Sequence, residues 1–333
     1  MRNFEFSFDV KGRVILIGNR DVVIPIDMKP WIQYYNGTVP YEYLSSWHKT
    51  LVKMNYMLVT SEVLSRLDDF VLRALIVMVV WRCSYRNVRS FYMTDVVVRW
   101  FLGECKSKSE IHRRAKGFRE VFKEAFKEHV KELEGKLSAL TDYLPSSALY
   151  GKVWKLWAVD SFIIEVPFGK RNRETLKKKF ELELRQGKLR DAADRLYQFM
   201  KCKIRRRFKG QFTKKRNRSY FGFKVFIAIS PTMLIHEIQV ELANFPDNEV
   251  DFFLSGYKVV DRGFVGKSST WLIGFPSFRR HVEFFGTFLK NYWRPYAVDR
   301  EMTELFVYVI ALIYNSSMYT SVLSRVPETQ LAH

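Results

Sequence analysis

The sequence predicts an α/β chain: a mixed β-sheet flanked by helices, preceded by a mainly helical region. Three observations carry this. Apolar residues recur with helical spacing from about Tyr41 to Leu140, strand-like patterning begins near Trp154, and the last long patterned segments are helical again. Strands first and helices last place the second half of the chain in the α/β class. With 333 residues, 47% of them apolar and 16% aromatic, the chain is long and apolar enough to bury real cores.

Residues 1–40 read as a β-rich extension, because FEFSFDV, VILIG and VVIPI alternate apolar and polar positions between residues 4 and 27. Residues 41–150 read as helical. Ser61 is the expected cap of a helix over Glu62–Trp81, in which Val63, Leu64, Leu67, Val71 and Leu75 recur at i, i+3 and i+4. A second helical run leads from SYRNVRSF to Phe101, Gly103 stops it, and a third helix spans about Ser107 to Phe118. Short helices with tight turns suit a helix-turn-helix-like module, or equally any small helical bundle. Residues 119–140 read as a charged, solvated helix linking this module to the second half of the chain.

Residues 151–325 form the predicted α/β domain. KLWAVDSFIIEVP, FGFKVFIAIS and MLIHEIQVEL are strands, the last two joined by a turn at Pro231-Thr232, and YKVVD and TWLIG are shorter ones. A basic helical insertion at about 170–218 separates the first strand from the second. Helices then span about Ser277–Tyr292 and Asp299–Tyr319.

A net charge of +20 and a pI near 9.8 imply a polyanionic partner, since neutralising phosphates releases condensed counterions. Charge alone does not separate nucleic acid from an anionic membrane surface. The longest apolar stretches, Ala74–Trp81 and Leu305–Tyr314, fall short of the ~20 residues that cross a bilayer. The N-terminus lacks the apolar core of a signal peptide. Cys83, Cys105 and Cys202 form no disulfide framework, and the six histidines have no zinc-ligand spacing.

Residues 201–218, KCKIRRRFKGQFTKKRNR, hold ten Lys or Arg and no acid, too dense for an ordinary solvated face. Lys203, Arg205, Arg206, Arg207, Lys214, Lys215, Arg216 and Arg218 are therefore candidates for phosphate contact, with Lys170–Lys179 as an extension. Such clusters position a nucleic-acid backbone rather than read bases. Sequence reading is assigned to Arg86, Arg89, His112, Arg113 and Arg114, whose plain alternative is a basic helical surface.

Asp160 stands inside an apolar strand, between Ala158-Val159 and Phe162-Ile163, and Asp261 ends YKVVD ahead of Arg262-Gly263. One strand-terminal Asp is a common turn former; two on strands of one sheet can converge at the edge where α/β sheets place their sites. In FRRHVEFFGTFLK, Arg279, Glu283 and Lys290 fall on one helical face, and Phe284, Phe285 and Phe288 are the expected packing face. By itself that stripe is more often a solvated salt-bridge face.

WAVDS, VVDRG and the R-x3-E-x6-K helix together resemble the DDE transposases of prokaryotic insertion sequences, in the group with a Tyr-x2-Arg-x3-Glu-x6-Lys signature. RSYFGFKVFIAIS, which contains Lys224, resembles the strand after their first Asp. WRCSYRNVRSF and KSEIHRRAKGF resemble their N-terminal helical DNA-binding region. The resemblance covers roughly residues 60–320. It implies a ribonuclease-H-like catalytic domain, with Asp160, Asp261 and Glu283 as catalytic metal ligands. The signature's Tyr position is Pro276 here, and 21 residues separate Asp261 from Glu283. Glu301 and Glu304 stay open as the third acid.

The implied chemistry is phosphodiester hydrolysis and then strand transfer, both in-line displacements served by two Mg²⁺ ions, with Mn²⁺ as a substitute. Asp160 is the best placed to bridge both ions, Asp261 and Glu283 completing one each, and Arg279 and Lys290 contact phosphates. Lys224 joins the DNA-contacting set. The implied partners are double-stranded DNA, as element ends and target, and a homodimer or higher assembly to hold two ends, with no membrane. The implied location is the cytoplasm of a prokaryote, at the nucleoid. A catalytically inactive DNA-binding derivative and a ribonuclease-H-like nuclease without strand transfer are the alternatives. GFVGKSS lacks the first glycine of a phosphate-binding loop, and Asp160-Ser161 lacks the nucleophile elbow of a serine hydrolase.

Overall fold

The computed structural model describes residues 5–8, 14–17, 38–39, 44–67, 69–144, 156–165, 211–215, 218–250, 252, 254–260, 264, 271–273, 276–293 and 300–326. The chain divides into two units, Met1–Pro145 with Tyr308–His333, and Ser146–Val307. The α/β part expected to run to residue 325 thus ends at Val307. Packing explains the difference: Tyr308, almost wholly buried, meets Phe126 edge-on at 5.1 Å between ring centres.

In the first unit, β1 (Glu5–Phe8) and β2 (Val14–Ile17) pair antiparallel, and β3 (Thr38–Val39) joins β2. The predicted strand VVIPI lies outside the described residues. Five helices come next: α1 (Ser46–Thr60), α2 (Asp69–Val80), α3 (Tyr85–Thr94), α4 (Val96–Leu102) and α5 (Lys108–Ser138). Helix α2 is buried along nearly its whole length because FVLRALIVMVV is apolar on every side. Its Arg73 donates to Asn55 Oδ1 at 2.7 Å and to the Phe101 carbonyl at 2.9 Å, so the charge is not left bare.

Three helical expectations are corrected. The helix predicted over Glu62–Trp81 begins only at Asp69: Ser61 Oγ accepts the Leu64 N–H at 3.3 Å as a cap would, but the single turn it starts, Leu64–Arg66, ends at Leu67 in extended backbone. The Ser61 N–H also closes α1 on the Met57 carbonyl, and its Oγ bonds His129 and Glu132. The run predicted to reach Phe101 unbroken is cut at Asp95, whose Oδ1 accepts from the N–H groups of Val97 and Val98 and starts α4. Gly103, at φ +67°, ends α4 as predicted. Finally, α5 runs unbroken from its cap Ser107 to Ser138, and its second half is no solvated linker. Phe122, Ala125, Phe126, His129, Val130, Leu133 and Leu137 form a buried stripe at i, i+3, i+4 spacing, masked in the sequence by the charge of the other face.

The second unit contains β4 (Leu156–Glu165), β5 (Gln211–Lys215), β6 (Arg218–Ile229), β7 (Ile235–Leu242), β8 (Tyr257–Val260), β9 (Trp271–Ile273) and α6 (Pro276–Tyr292). Its sheet runs β7-β6-β4-β8-β9, with β5 paired to the first residues of β6. Strand β6 is antiparallel to β4, β5 and β7, whereas β8 is parallel to β4 and β9 to β8. The predicted mixed α/β architecture is thus present. Strand β5 falls inside the stretch expected to be helical to about residue 218: QFTKK has no apolar alternation of its own and is a strand through its pairing with RSYFG. Pro231-Thr232 turns the chain between β6 and β7, with Met233 at φ 69° closing the loop through a 2.9 Å bond to the Ser230 carbonyl.

Helix α7 (Arg300–Leu323) is longer than predicted, and it is long and apolar enough to cross a membrane by length and composition. Yet 78% of its apolar window is buried in the protein, as in a core helix.

Candidate active site

LWAVDSFIIE is apolar at alternate positions on both faces, so β4 takes a central place in the sheet, between β6 and β8. Asp160 pairs with Ile227 of β6. Its side chain is half-buried, and its Oδ1 accepts the Ser161 N–H at 2.7 Å. On the other side, the parallel ladder to β8 runs from Leu156↔Tyr257 to Ala158↔Val259. Each of these three paired β4 residues is thus matched to the one 101 positions later, which is also the spacing of Asp160 and Asp261 in the sequence. Asp261 lies outside the described residues.

Helix α6 packs on the sheet through Val282, Phe285, Gly286 and Leu289, all buried. The closest approach is at Gly286. A Cβ there would lie 2.7 Å from Cζ and 2.8 Å from Cδ1 of Phe162, and nearer still to Cε1. Phe162 and Asp160 are two residues apart on one strand and share a face. Helix α6 therefore covers the face of β4 that carries Asp160. Glu283 precedes Gly286 by three residues, so it is a neighbour on the helix surface, and both Glu283 and Lys290 are exposed. The packing face differs in one respect from the sequence prediction: Phe284 is 58% exposed, and Val282 and Leu289 take its place. Burial beside this core pushes the His281 imidazole below its ordinary value of 6.5.

The opposite face of β4 carries Val159 and Ser161. Val159 joins a core of Phe226, Ala228, Val250, Phe252, Val260 and Phe264. Ser161 Oγ donates to Asp247 Oδ1 at 2.9 Å, and Lys224 Nζ pairs with the same oxygen at 2.7 Å while donating to the Phe245 carbonyl at 3.1 Å. Lys224 is thus engaged within the protein and lies on the sheet face opposite Asp160. Neither Asp247 nor the Phe162–Gly286 contact was among the sequence-derived candidates. A glycine inside a Phe-rich helix was a signal for the second; nothing in the sequence marks the first.

No protein-family model, curated protein or solved structure matches this chain.

Of the other sequence-derived residues, Lys203, Arg205, Arg206, Arg207 and Arg216 lie outside the described residues. Lys214 and Lys215 belong to β5, Arg218 to β6 and Arg279 to α6, with only their backbone described. Glu301 is exposed and Glu304 buried on α7. Arg86 is exposed on α3, whereas Arg113 and Arg114 both hold Glu110, at 2.8 and 2.6 Å. These guanidiniums, hydrogen-bonded to Glu110, keep its carboxyl below the usual range. Among the described residues no three His, Cys, Asp or Glu side chains gather to hold a metal; Asp261 is not among them.

Proposed function

We propose that the chain is a DNA transposase of the DDE type with a ribonuclease-H-like catalytic domain, using Asp160, Asp261 and Glu283. One observation carries the reading. The helix that bears Glu283 and Lys290 packs on the face of β4 that bears Asp160, next to a parallel strand whose register offset equals the Asp160–Asp261 spacing. The mixed sheet, three neighbouring antiparallel strands and then two parallel ones, with a helix packed on it, supports the domain assignment.

The three carboxylates are hard oxygen donors and fit Mg²⁺, which keeps several waters and needs few protein ligands. When bound, two such ions supply an activated nucleophile and a stabilised leaving oxygen. The chain's own residues do the rest. The Ser161 N–H holds one oxygen of Asp160 in place, and the α6–β4 contact fixes the helix that carries Glu283. Lys290, exposed two turns further along, offers its ammonium to a phosphate. The partners are double-stranded DNA and a second copy of the chain, at a prokaryotic nucleoid.

Short inverted repeats on either side of the gene are expected, and cleavage and strand transfer on DNA taken from those flanks, with Mg²⁺, test the proposal. Wild type should yield nicked and joined products, and Asp160→Asn and Glu283→Gln neither. Full activity of Glu283→Gln together with loss in Glu301→Gln would move the third acid to α7. Cleavage without joined products would leave a nuclease.

A further inference from the structure

We infer that Asp247 is a positioning residue: acting through Ser161, it holds Asp160 in the orientation that takes a divalent cation. This rests on the proposed metal-dependent function and goes beyond it by assigning the group that stands behind the first carboxylate.

Asp160 and Ser161 face opposite sides of β4, as neighbours on a strand must. They are tied together all the same, because the Ser161 N–H donates to Asp160 Oδ1 at 2.7 Å. Such a link orients the carboxylate only as well as the Ser161 peptide is itself held. The Ser161 hydroxyl supplies that hold: its Oγ donates to Asp247 Oδ1 at 2.9 Å, between residues 86 positions apart in the chain. Its acceptor is a carboxylate, which makes the bond charge-assisted.

Asp247 is in turn fixed from several directions. Lys224 Nζ meets the same Oδ1 at 2.7 Å, donates to the Phe245 carbonyl at 3.1 Å and lies 5.2 Å from the centre of the Phe226 ring. Lys224 and Phe226 stand on the Ser161 side of the sheet, since Phe226 pairs with Ser161 and Lys224 with Ile163. The chain on either side of Asp247 is anchored as well. Phe245 packs on the core and meets Phe226 edge-on at 5.9 Å, and Val250 is fully buried in that core. Pro246, at φ −67°, leads into the single turn Asp247–Glu249. An acceptor held this firmly suits the support of a metal ligand, because affinity falls when a ligand is free to turn.

The burial of charge here has a use. The Lys224 and Asp247 side chains are only 14% and 26% exposed, so both are costly to desolvate. An apolar pair would tie the same segment to the sheet without that cost, but it would offer Ser161 no acceptor. The ion pair both staples the segment and leaves a charged oxygen for the hydroxyl.

Metal binding by the full-length protein is the readout. Mn²⁺ is titrated in and the free ion followed by electron paramagnetic resonance, with Mg²⁺ as competitor. Ser161→Ala removes the link while leaving Lys224 paired to Asp247. It should weaken Mn²⁺ binding by about 10-fold or more, whereas Ser161→Thr, which keeps the hydroxyl, should stay within about twofold of wild type. Asp247→Ala should match Ser161→Ala. Adding Lys224→Met to Asp247→Ala removes the bare ammonium and so restores stability, yet Mn²⁺ affinity should stay low. Affinity that returns with stability in this double variant would reveal a structural staple and overturn the positioning role. Wild-type affinity in Ser161→Ala, with the metal still lost in Asp160→Asn, would overturn it too and leave the metal site standing. Equal affinity in wild type and Asp160→Asn would overturn the metal site, and the proposed function with it.

Discussion

Gly286 of α6 lies so close to the Phe162 ring of β4 that no side chain fits between them. The helix interior would ordinarily disfavour glycine by about 1 kcal/mol relative to alanine. Here the missing Cβ lets the Glu283-bearing helix reach the strand that bears Asp160. Gly286→Ala should therefore destabilise the protein by about 1–3 kcal/mol through overpacking, read as a shift in the urea midpoint. Strand transfer should fall further than that stability loss explains. Combining it with Phe162→Leu should recover part of both, because the two positions share one contact.

Asp247 accepts from both Lys224 and Ser161, with the Lys224 side chain only 14% exposed. Asp247→Ala leaves a largely buried ammonium bonded to the Phe245 carbonyl without its counter-charge, and should cost about 2 kcal/mol in chemical denaturation. Lys224→Met in the same chain should restore most of it. No restoration would mean that the pair does not account for the loss.

Acid should weaken the helical unit through His129. Its imidazole is fully buried, and its pKa falls from the ordinary 6.5 to about 4 because burial penalises the charged form. Ser61 has one proton, and donating it to Glu132 at 2.8 Å leaves its Oγ to accept from His129 Nδ1 at 2.9 Å. That fixes the neutral tautomer, and Nε2 has no partner among the described residues to receive a second proton. Burial by itself would raise the Glu132 carboxyl, but bonds from Lys136 and Ser61 more than offset it and hold the group low. The folded state thus binds fewer protons than the unfolded chain. Stability is fully present above pH 6.5 and is lost as pH falls towards 4, by about 2–3 kcal/mol from His129. Urea unfolding across that window should show the slope, and His129→Gln should flatten it.

Arg82 occupies the left-handed position that closes α2, a conformation that L side chains adopt at a cost. Arg82→Gly should raise the thermal midpoint slightly, corresponding to about 0.5 kcal/mol, the gain reduced by the greater freedom of glycine in the unfolded chain. A lower midpoint would show that the Arg82 side chain stabilises the turn by more than its backbone costs.

Much of the architecture was legible as pattern. The strands around Asp160, the β6–β7 turn at Pro231-Thr232, the stop at Gly103 and the helix bearing Glu283 all arise from local chemistry: alternation, a proline turn, a glycine terminus and a helical stripe. Where local pattern failed, the outcome was decided at a distance. Ser61 looks like the cap of a long helix and does accept the Leu64 N–H, yet only one turn follows, and the same hydroxyl also bonds His129 and Glu132, 68 and 71 residues away. The second half of α5 looks solvated because lysines and glutamates surround its stripe, yet the unit buries that stripe.

By itself the sequence determined the net charge of +20, the order of elements, and the residue types able to hold a divalent cation. Those are properties of composition and short-range periodicity, which every residue carries within its own few neighbours. Tertiary structure alone decided which face of β4 the Glu283 helix covers, that Lys224 points to Asp247 rather than outward, and that Arg86 and Arg89 stand open while Arg113 and Arg114 are held. Those outcomes depend on strand register and on which distant side chain arrives within hydrogen-bonding reach, and no local pattern encodes either.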